Sequence, residues 1–367
     1  MSVKIDLRDL ALSELAGLMR ETGAEVYRAR QIAEWVFQKG AGSLEEMTNL
    51  PRDMRERLAA FAGIGRVEVM KKQVSRGGDT VKYLFKLGDG QAVESVLMKH
   101  NYGNSACVST QAGCRMGCRL CASSLGGFVR NLSSGEIYGQ VLGMQKDSGE
   151  RVSHVVIMGS GEPLDNYQAT LTFIKNVTAP YGLNIGQRHI TVSTCGLAPR
   201  IRELAGEKLA ITLAVSLHAP NDALRDELMP VNKKYPLRIL MEACREYAIK
   251  TGRRITFEYA LIAGVNDGRE LAAELGALLA GMLCHVNLIP ANPVPERGVR
   301  PPARRGVVIF KNILEKMGIS VTVRRSLGGD IDGACGQLRQ KTIGNKVNQV
   351  GGALAKRVIL QPDSKSW

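Results

Sequence analysis

The sequence predicts an α/β chain built on a mostly parallel sheet, with a small helical module in front of it. Three observations carry that expectation. From about Cys107 onward, short apolar runs alternate with amphipathic stretches. Several of the runs are apolar almost throughout, as strands covered on both faces are. Polar residues collect just beyond the runs, not within them. Repeated βα units of this kind imply a parallel sheet, either doubly wound or closing toward a barrel.

In chain order, residues 1–65 read as helices. "ALSELAGLMRETG" and "YRARQIAEWVFQKG" space apolar residues three and four apart and each end in Gly. "SLEEMTNLPRDMRERLAAFAG" continues the pattern, with Pro51 suited to a first helical turn. Residues 66–100 change character: "VKYLFKLGDGQAVESVLM" alternates around a Gly-Asp-Gly turn, the pattern of hairpin strands connecting module to core. The expected core strands are "ACVST", "HVVIMGSGEP", "HITVSTCG", "LAITLAVSLH", "RITFEYALIAG", "CHVNLIPANP" and "SVTVRRS". Between them lie the helical patterns "SSGEIYGQVLGMQK", "LRILMEACREYAIK", "GRELAAELGALLAGM" and "VVIFKNILEKMG". The first opens Ser133-x-x-Glu136, the signature of a capping box. The expected division is a helical accessory module at 1–65, a strand connector at 66–100, the core at 101–340 and a basic tail at 341–367. No Gly-x-Gly-x-x-Gly turn follows the first core strand, which argues against a Rossmann dinucleotide site.

At 367 residues the chain is long enough for one large domain and an accessory piece. No run approaches the ~18 apolar residues that span a bilayer. The start, "MSVKIDLRDLALSEL", lacks an apolar signal core, so a cytoplasmic protein with no membrane partner is expected. There, clustered cysteines more often bind metal or do redox chemistry than form structural disulfides. The net charge of +14 makes nucleic acid the leading partner class, although a basic enzyme without an RNA role would share that composition. From Gly336 to Trp367 six Lys/Arg face one acid, a +5 tail suited to solvent or to RNA.

Four of the eight cysteines fall in "CVSTQAGCRMGCRLC". A tetrahedral zinc site wants four protein ligands, usually as two separated pairs. Cys114, Cys118 and Cys121 give three on one loop, with no His or Cys immediately beyond. A cubane [4Fe–4S] cluster can use three thiolates and leave one iron open to a substrate. Beyond the following strands stand Gly161 and Glu162, Ser193, Ser216 and His218, and Asn292. Each alone reads best as a helix cap; together, at the C-terminal ends of barrel strands, they point to a site.

The Cys-x3-Cys-x2-Cys spacing, with "GSGEP" after the next strand, resembles the radical S-adenosylmethionine (SAM) superfamily. With "CVSTQAGCRMGCRLCASSLGGFVRNLSSGEI", "GSGEPLDN", "SLHAPND", "HVNLIPANPVPERG" and "DIDGACGQL", the chain resembles the RlmN/Cfr family of radical SAM RNA adenosine methyltransferases. Coverage is nearly full length and includes "LPRDMRERL"; the final stretch carries no matching motif. The wording sits closer to the RlmN branch. Ser160 stands where Met is common, and "CASS" where "CATG" is frequent, and neither removes a ligand.

The resemblance implies a partial (β/α)6 barrel. It implies one [4Fe–4S] cluster on Cys114, Cys118 and Cys121, and SAM contacts from Gly161, Glu162, Ser193, Ser216, Leu217, His218 and Asn292. Adenine C2 and C8 are electron-poor and do not attack a SAM methyl directly. By resemblance, one SAM therefore methylates the Cys335 thiolate, the nucleophilic form. A second SAM supplies the radical that activates the S-methyl group for addition to adenine, transiently joining protein to RNA. Cys107 is then the thiol that closes a transient disulfide onto Cys335, and Glu94, in "AVESVLM", matches a carboxylate assigned as proton acceptor. The implied partners are 23S rRNA, tRNA and an electron donor such as flavodoxin, with the enzyme a monomer. Cfr-type methylation at C8 shares this cysteine set. A non-catalytic, metal-stabilised RNA-binding protein is the reading from another class. Cys244 and Cys284 read as small buried hydrophobes. Cys195 lies two residues past Ser193 and has no necessary role, and His100, His154, His189 and His285 carry no functional expectation.

Overall fold

The N-terminal apolar spacing folds into α1 (Leu12–Glu21), α2 (Tyr27–Ala33) and α3 (Arg52–Phe61) beside two short parallel strands, β1 (Ile5–Asp6) and β2 (Ala62–Gly63). In this computed structural model the described residues are 4–294, 297–324, 331, 336–339 and 341–342. A π-helical turn, Glu34–Gln38, continues α2, a widening that the apolar spacing does not foretell. Pro51 caps α3 from one residue outside it and does not occupy the first turn.

Strands β3 (Val67–Val74), β4 (Thr80–Leu87) and β5 (Ala92–His100) form an antiparallel meander that runs straight into β6 (Gly103–Cys107). The stretch expected to connect module and core is therefore part of the core sheet. A small ribbon follows, β7 (Gln111–Gly113) against β8 (Phe128–Asn131), and the three clustered cysteines lie on the loop between its strands. Helix α4 (Ser134–Ser148) begins with the expected box: the Ser133 hydroxyl accepts the Glu136 amide, and the Glu136 carboxylate accepts the Ser133 amide. The chain then alternates through β9 (Val152–Ile157), α5 (Tyr167–Thr178), β10 (Ile190–Thr194), α6 (Ala198–Leu204) and β11 (Thr212–Ser216). It ends with α7 (Asp222–Leu228), α8 (Leu237–Thr251), β12 (Ile255–Leu261), α9 (Arg269–Leu279), β13 (Cys284–Pro290), α10 (Arg304–Lys316) and β14 (Val321–Val323).

Among the described residues the main sheet runs β14-β13-β12-β11-β10-β9-β6-β5-β4-β3. From β6 to β14 every pairing is parallel and each strand lies beside the next in sequence. A doubly wound sheet reverses direction at a switch point. This one never does, so its parallel part is a barrel wall, continued beyond β6 by the meander and not closed on itself among the described residues. The choice that periodicity left open is thereby made for the partial barrel. Its helix-facing side is packed by Val215, Phe257 and Val286, which stand opposite one another in register and are fully buried, and by Tyr259 against Phe310 of α10. No helix among the described residues is long and apolar enough to cross a membrane.

Phe257→Ala deletes a fully buried ring from the middle of the wall. It should cost about 3–5 kcal/mol of stability, read as a lowered thermal midpoint with the fold's circular dichroism retained.

Candidate functional site

A cavity of about 320 Å³ opens where the parallel strands end. Six of the residues singled out by sequence line it: Cys107, Cys121, Ser193, Ser216, His218 and Asn292. They come from the last residue of β6, the cysteine loop, β10, the last residue of β11, the turn after it, and the segment after β13. Strand polarity explains the convergence, since in a parallel wall all C-terminal ends meet at one rim. Three charged residues that sequence reasoning missed also line the cavity: Lys82, Glu258 and Arg324. Lys82 and Glu258 sit inside strands, where a solvated face is the ordinary expectation, and nothing local in the sequence marks them as buried.

The cysteine loop is held by its own backbone. The Cys114 amide donates to the Gly127 carbonyl, closing the loop at its base, and the Cys121 amide donates to the Cys118 carbonyl at 3.2 Å. The Ser124 hydroxyl bonds the carbonyls of Cys118 and Cys121, so "CASS" supplies a brace just past the last cysteine. All three thiols are free and partly exposed. Burial, helped by the neighbouring thiols, pushes the Cys118 thiol up, and burial pushes Cys114 up to about 12. Bound cations reverse that penalty, since a coordinating thiol is deprotonated outright. Among the described residues no three His, Cys, Asp or Glu side chains converge on a single metal ion. Thiolates that each hold a different iron of a cubane need no such convergence, so the donor set fits a [4Fe–4S] cluster better than one zinc ion.

Around the rim, buried polar side chains hold the loops. Gly161 has φ +103°, and a Cβ there would lie 2.6 Å from the Gln111 side chain, so only glycine fits. Glu162 is buried, and its carboxylate accepts the amides of Leu164 at 3.0 Å and Cys195 at 2.7 Å, bracing the loop after β9 against the one after β10. Burial raises its pKa and those amides oppose the rise. Neither Gly161 nor Glu162 lines the cavity among the described residues. Leu217 is fully buried with its side chain in the core, and its carbonyl accepts from Arg225. His218 has φ +58°, a conformation costly for a residue with a side chain and frequent at functional sites. Its Nδ1 accepts the Ala260 amide at 3.0 Å, which leaves the proton on Nε2. Burial, with a smaller contribution from Arg225, depresses its pKa to about 3.

Glu94 lies outside the cavity lining, on β5. Its carboxylate accepts the Gly336 amide at 2.6 Å and the Arg339 amide at 2.6 Å, and pairs with the Lys82 ammonium at 2.9 Å. Arg339 also donates to the Ala92 carbonyl. Gly336 has φ +89°, and a Cβ on it would lie 2.4 Å from the Ser123 amide nitrogen, one residue past the cysteine loop's Ala122. Cys335, the expected methyl carrier, lies outside the described residues, as does the tail from 343 onward; Gly336 is its neighbour in sequence. Cys107 is buried at the cavity wall. Burial pushes its thiol up, while Arg324 and Lys82 favour the thiolate. Cys244 and Cys284 are buried in the hydrophobic core, as expected, and Cys195 packs under the rim beside Leu228 and Met229.

A barrel wall with a three-cysteine loop after its first parallel strand, and a polar cavity at its rim, defines a radical SAM protein. Residues 108–275 match the model of the radical SAM superfamily, and residues 5–64 match that of the ribosomal RNA large subunit methyltransferase N-terminal domain. A probable dual-specificity RNA methyltransferase RlmN from Pelotomaculum thermopropionicum is 69% identical over 95% of this chain and 95% of its own. A protein of the same description from Alkaliphilus oremlandii is 53% identical over 93% of this chain and 99% of its own. The crystal structure of a radical SAM methyltransferase from Sphaerobacter thermophilus superposes with a TM-score of 0.86 at 44% identity, over 91% of this chain and 98% of that one. The chain belongs to the RlmN family of radical SAM RNA methyltransferases. Its superfamily works with a [4Fe–4S] cluster and SAM.

A neutral buried His218 makes stability depend on pH. Its folded pKa lies below the unfolded value of 6.5, so its contribution is complete above pH 6.5 and is lost as the pH falls toward about 3. Thermal midpoints measured across that window should fall more steeply for wild type than for His218→Gln. Parallel slopes would show that His218 titrates normally.

Proposed function

We propose that this enzyme methylates C2 of an adenosine in the peptidyl transferase centre of 23S rRNA and of an adenosine in some tRNAs, with Cys335 carrying the methyl group. The observation that carries the reading is the single cavity lined by Cys107, by Cys121 of the cysteine loop and by four rim residues expected to hold SAM. The naming of the relatives as dual-specificity RNA methyltransferases RlmN supports action on two kinds of RNA and the RlmN branch, whose resemblance implies C2, over the Cfr branch.

In this reading Cys114, Cys118 and Cys121 hold the cluster. When bound, it would supply the electron for the reductive cleavage of SAM. Ser193, Ser216 and Asn292 offer hydroxyl and amide groups to SAM. Gly161 and Glu162 shape the rim and hold the loop after β10. His218, neutral and protonated on Nε2, presents a hydrogen-bond donor without adding a charge. Cys335 is methylated, delivers its carbon to the adenine, and is released when Cys107 closes a disulfide onto it; cytoplasmic thiols re-reduce the pair. Glu94 acts as proton acceptor for the adenine ring. Two backbone amides and the Lys82 ammonium hold its carboxylate in place, and the amides tie it to the turn at Gly336–Arg339. The helical module at 1–65 contacts RNA, and a flavodoxin-type protein reduces the cluster of a monomeric enzyme.

The test is anaerobic reconstitution with iron, sulfide, SAM and a reductant, followed by mass spectrometry of nucleosides from treated rRNA and tRNA. 2-Methyladenosine in both is expected. 8-Methyladenosine alone would overturn the regiochemistry, and the absence of both methylated nucleosides and 5′-deoxyadenosine would overturn the reaction class. Cys335→Ala should cut turnover by at least ~100-fold, as loss of a covalent carrier does, with iron content unchanged. Gly336→Ala should also lose turnover while keeping iron and sulfide, because the added methyl group collides with the backbone at Ser123. Full activity in that variant would separate the turn from the chemistry.

A further inference from the structure

Glu258 is the only acidic side chain among the described residues that line the cavity. It is 4% exposed. Cross-strand register makes Ser216, Glu258, Asn287 and Thr322 lateral neighbours on β11, β12, β13 and β14. Lateral neighbours share a face, so these four form a polar row across the wall. The row is hydrogen-bonded on one side of Glu258. The Asn287 amide donates to its Oε1 at 3.1 Å, the Thr322 hydroxyl donates to the Asn287 carbonyl, and His285 meets Thr322. On the other side the row stops. Among the described residues, the buried Oε2 of Glu258 has no hydrogen-bond partner.

The other buried acids at this site use both carboxylate oxygens on the protein itself: Glu162 on the amides of Leu164 and Cys195, and Glu94 on the turn at Gly336 and on Lys82. A buried acceptor left bare is costly. Arg324, which also lines the cavity, favours the ionised carboxylate but makes no hydrogen bond to Oε2, and the neighbours of Glu258 in sequence are the apolar-ringed Phe257 and Tyr259. Glu258 therefore serves what enters the cavity. An adenine amine can donate to one carboxylate oxygen, whereas the vicinal hydroxyls of a ribose can engage the Glu258 oxygen and the adjacent Ser216 hydroxyl together. A hydroxyl rotates to donate, and the neighbouring Ser216 hydroxyl can serve a second one. We infer that Glu258 is a positioning residue whose free oxygen accepts a hydrogen bond from a ribose hydroxyl of a nucleoside bound in the cavity. This rests on the functional reading above, which supplies two sources of ribose: SAM, and the target nucleotide of the RNA.

Binding separates the two. S-Adenosylhomocysteine and its 2′-deoxy and 3′-deoxy analogues are dialysed against cluster-loaded wild type, Glu258→Gln and Glu258→Ala. A second arm titrates RNA oligonucleotides carrying adenosine or 2′-deoxyadenosine at the target position. Wild type should prefer the hydroxylated ligand about tenfold in one arm, the size of a hydrogen bond to a charged group. Glu258→Ala should lose that preference, and Glu258→Gln, which keeps one acceptor oxygen and the shape, should retain part of it. Loss in the first arm assigns the hydroxyl to SAM; loss in the second assigns it to RNA. An unchanged preference in both variants and both arms overturns the inference. A wild type that binds no S-adenosylhomocysteine overturns the functional reading beneath it.

Discussion

One buried guanidinium holds the rim on which the proposed cofactor contacts stand. Arg225, fully buried in α7, donates to the carbonyls of Cys195 at 2.8 Å, Ser216 at 3.2 Å and Leu217 at 3.2 Å, and to the Asn232 side chain at 2.8 Å. It thereby ties the loop after β10 to the end of β11. Those carbonyls lie at or beyond the strand ends, and a buried carbonyl left without a donor is costly. Arginine suits this place because it keeps its charge when desolvated and presents donors in a fixed fork. Burial does lower its pKa, and the shift is opposed by Cys195, Cys118 and other acidic groups around it. With the two loops tied, Ser193 and Ser216 face one cavity and His218 is held in its left-handed conformation.

Charge inside this site is spent mostly on backbone. Arg225 takes carbonyls, Glu162 takes the amides of Leu164 and Cys195, and Glu94 takes the amides of Gly336 and Arg339. A βα barrel needs such groups because its functional loops leave the sheet and lose their ladder partners. Several loops, each a few residues long, must hold a ligand together, and side chains from elsewhere in the chain replace the missing hydrogen bonds. Glu258 stands apart as the buried acid whose second oxygen the described residues do not use.

This also marks what the sequence could and could not convey. The strands were legible because full burial on both faces leaves a run of apolar residues, and "HVVI", "LAVS" and "ITFEYAL" all fall on observed strands. The Ser133–Glu136 box was legible because its partners are three residues apart. The antiparallel meander was legible as strands but not as part of the core sheet, since the pairing of β5 with β6 leaves no local trace. Helix α5 carried enough β-branched residues and threonines to escape notice. In the site, the cysteine loop and the rim polar residues could be found from spacing and position. Arg225, Lys82 and Glu258 could not, because their burial follows from strand register and loop closure, and a charged residue in a sequence window reads by default as exposed.

The separation of Cys107 from the other three cysteines has a structural basis as well as the proposed chemical one. Cys107 ends β6 and is fixed in the sheet by register with Val96 and Val156. Cys114, Cys118 and Cys121 belong to the loop that the β7–β8 ribbon carries. The residues between cross from wall to ribbon, so the two sets are positioned by different elements. The turn after Cys335 enters between those elements. On one side Gly336 donates to Glu94 of β5, and on the other it abuts the backbone of Ala122 and Ser123 just past Cys121. The gap admits a backbone and no side chain, which makes glycine a requirement there.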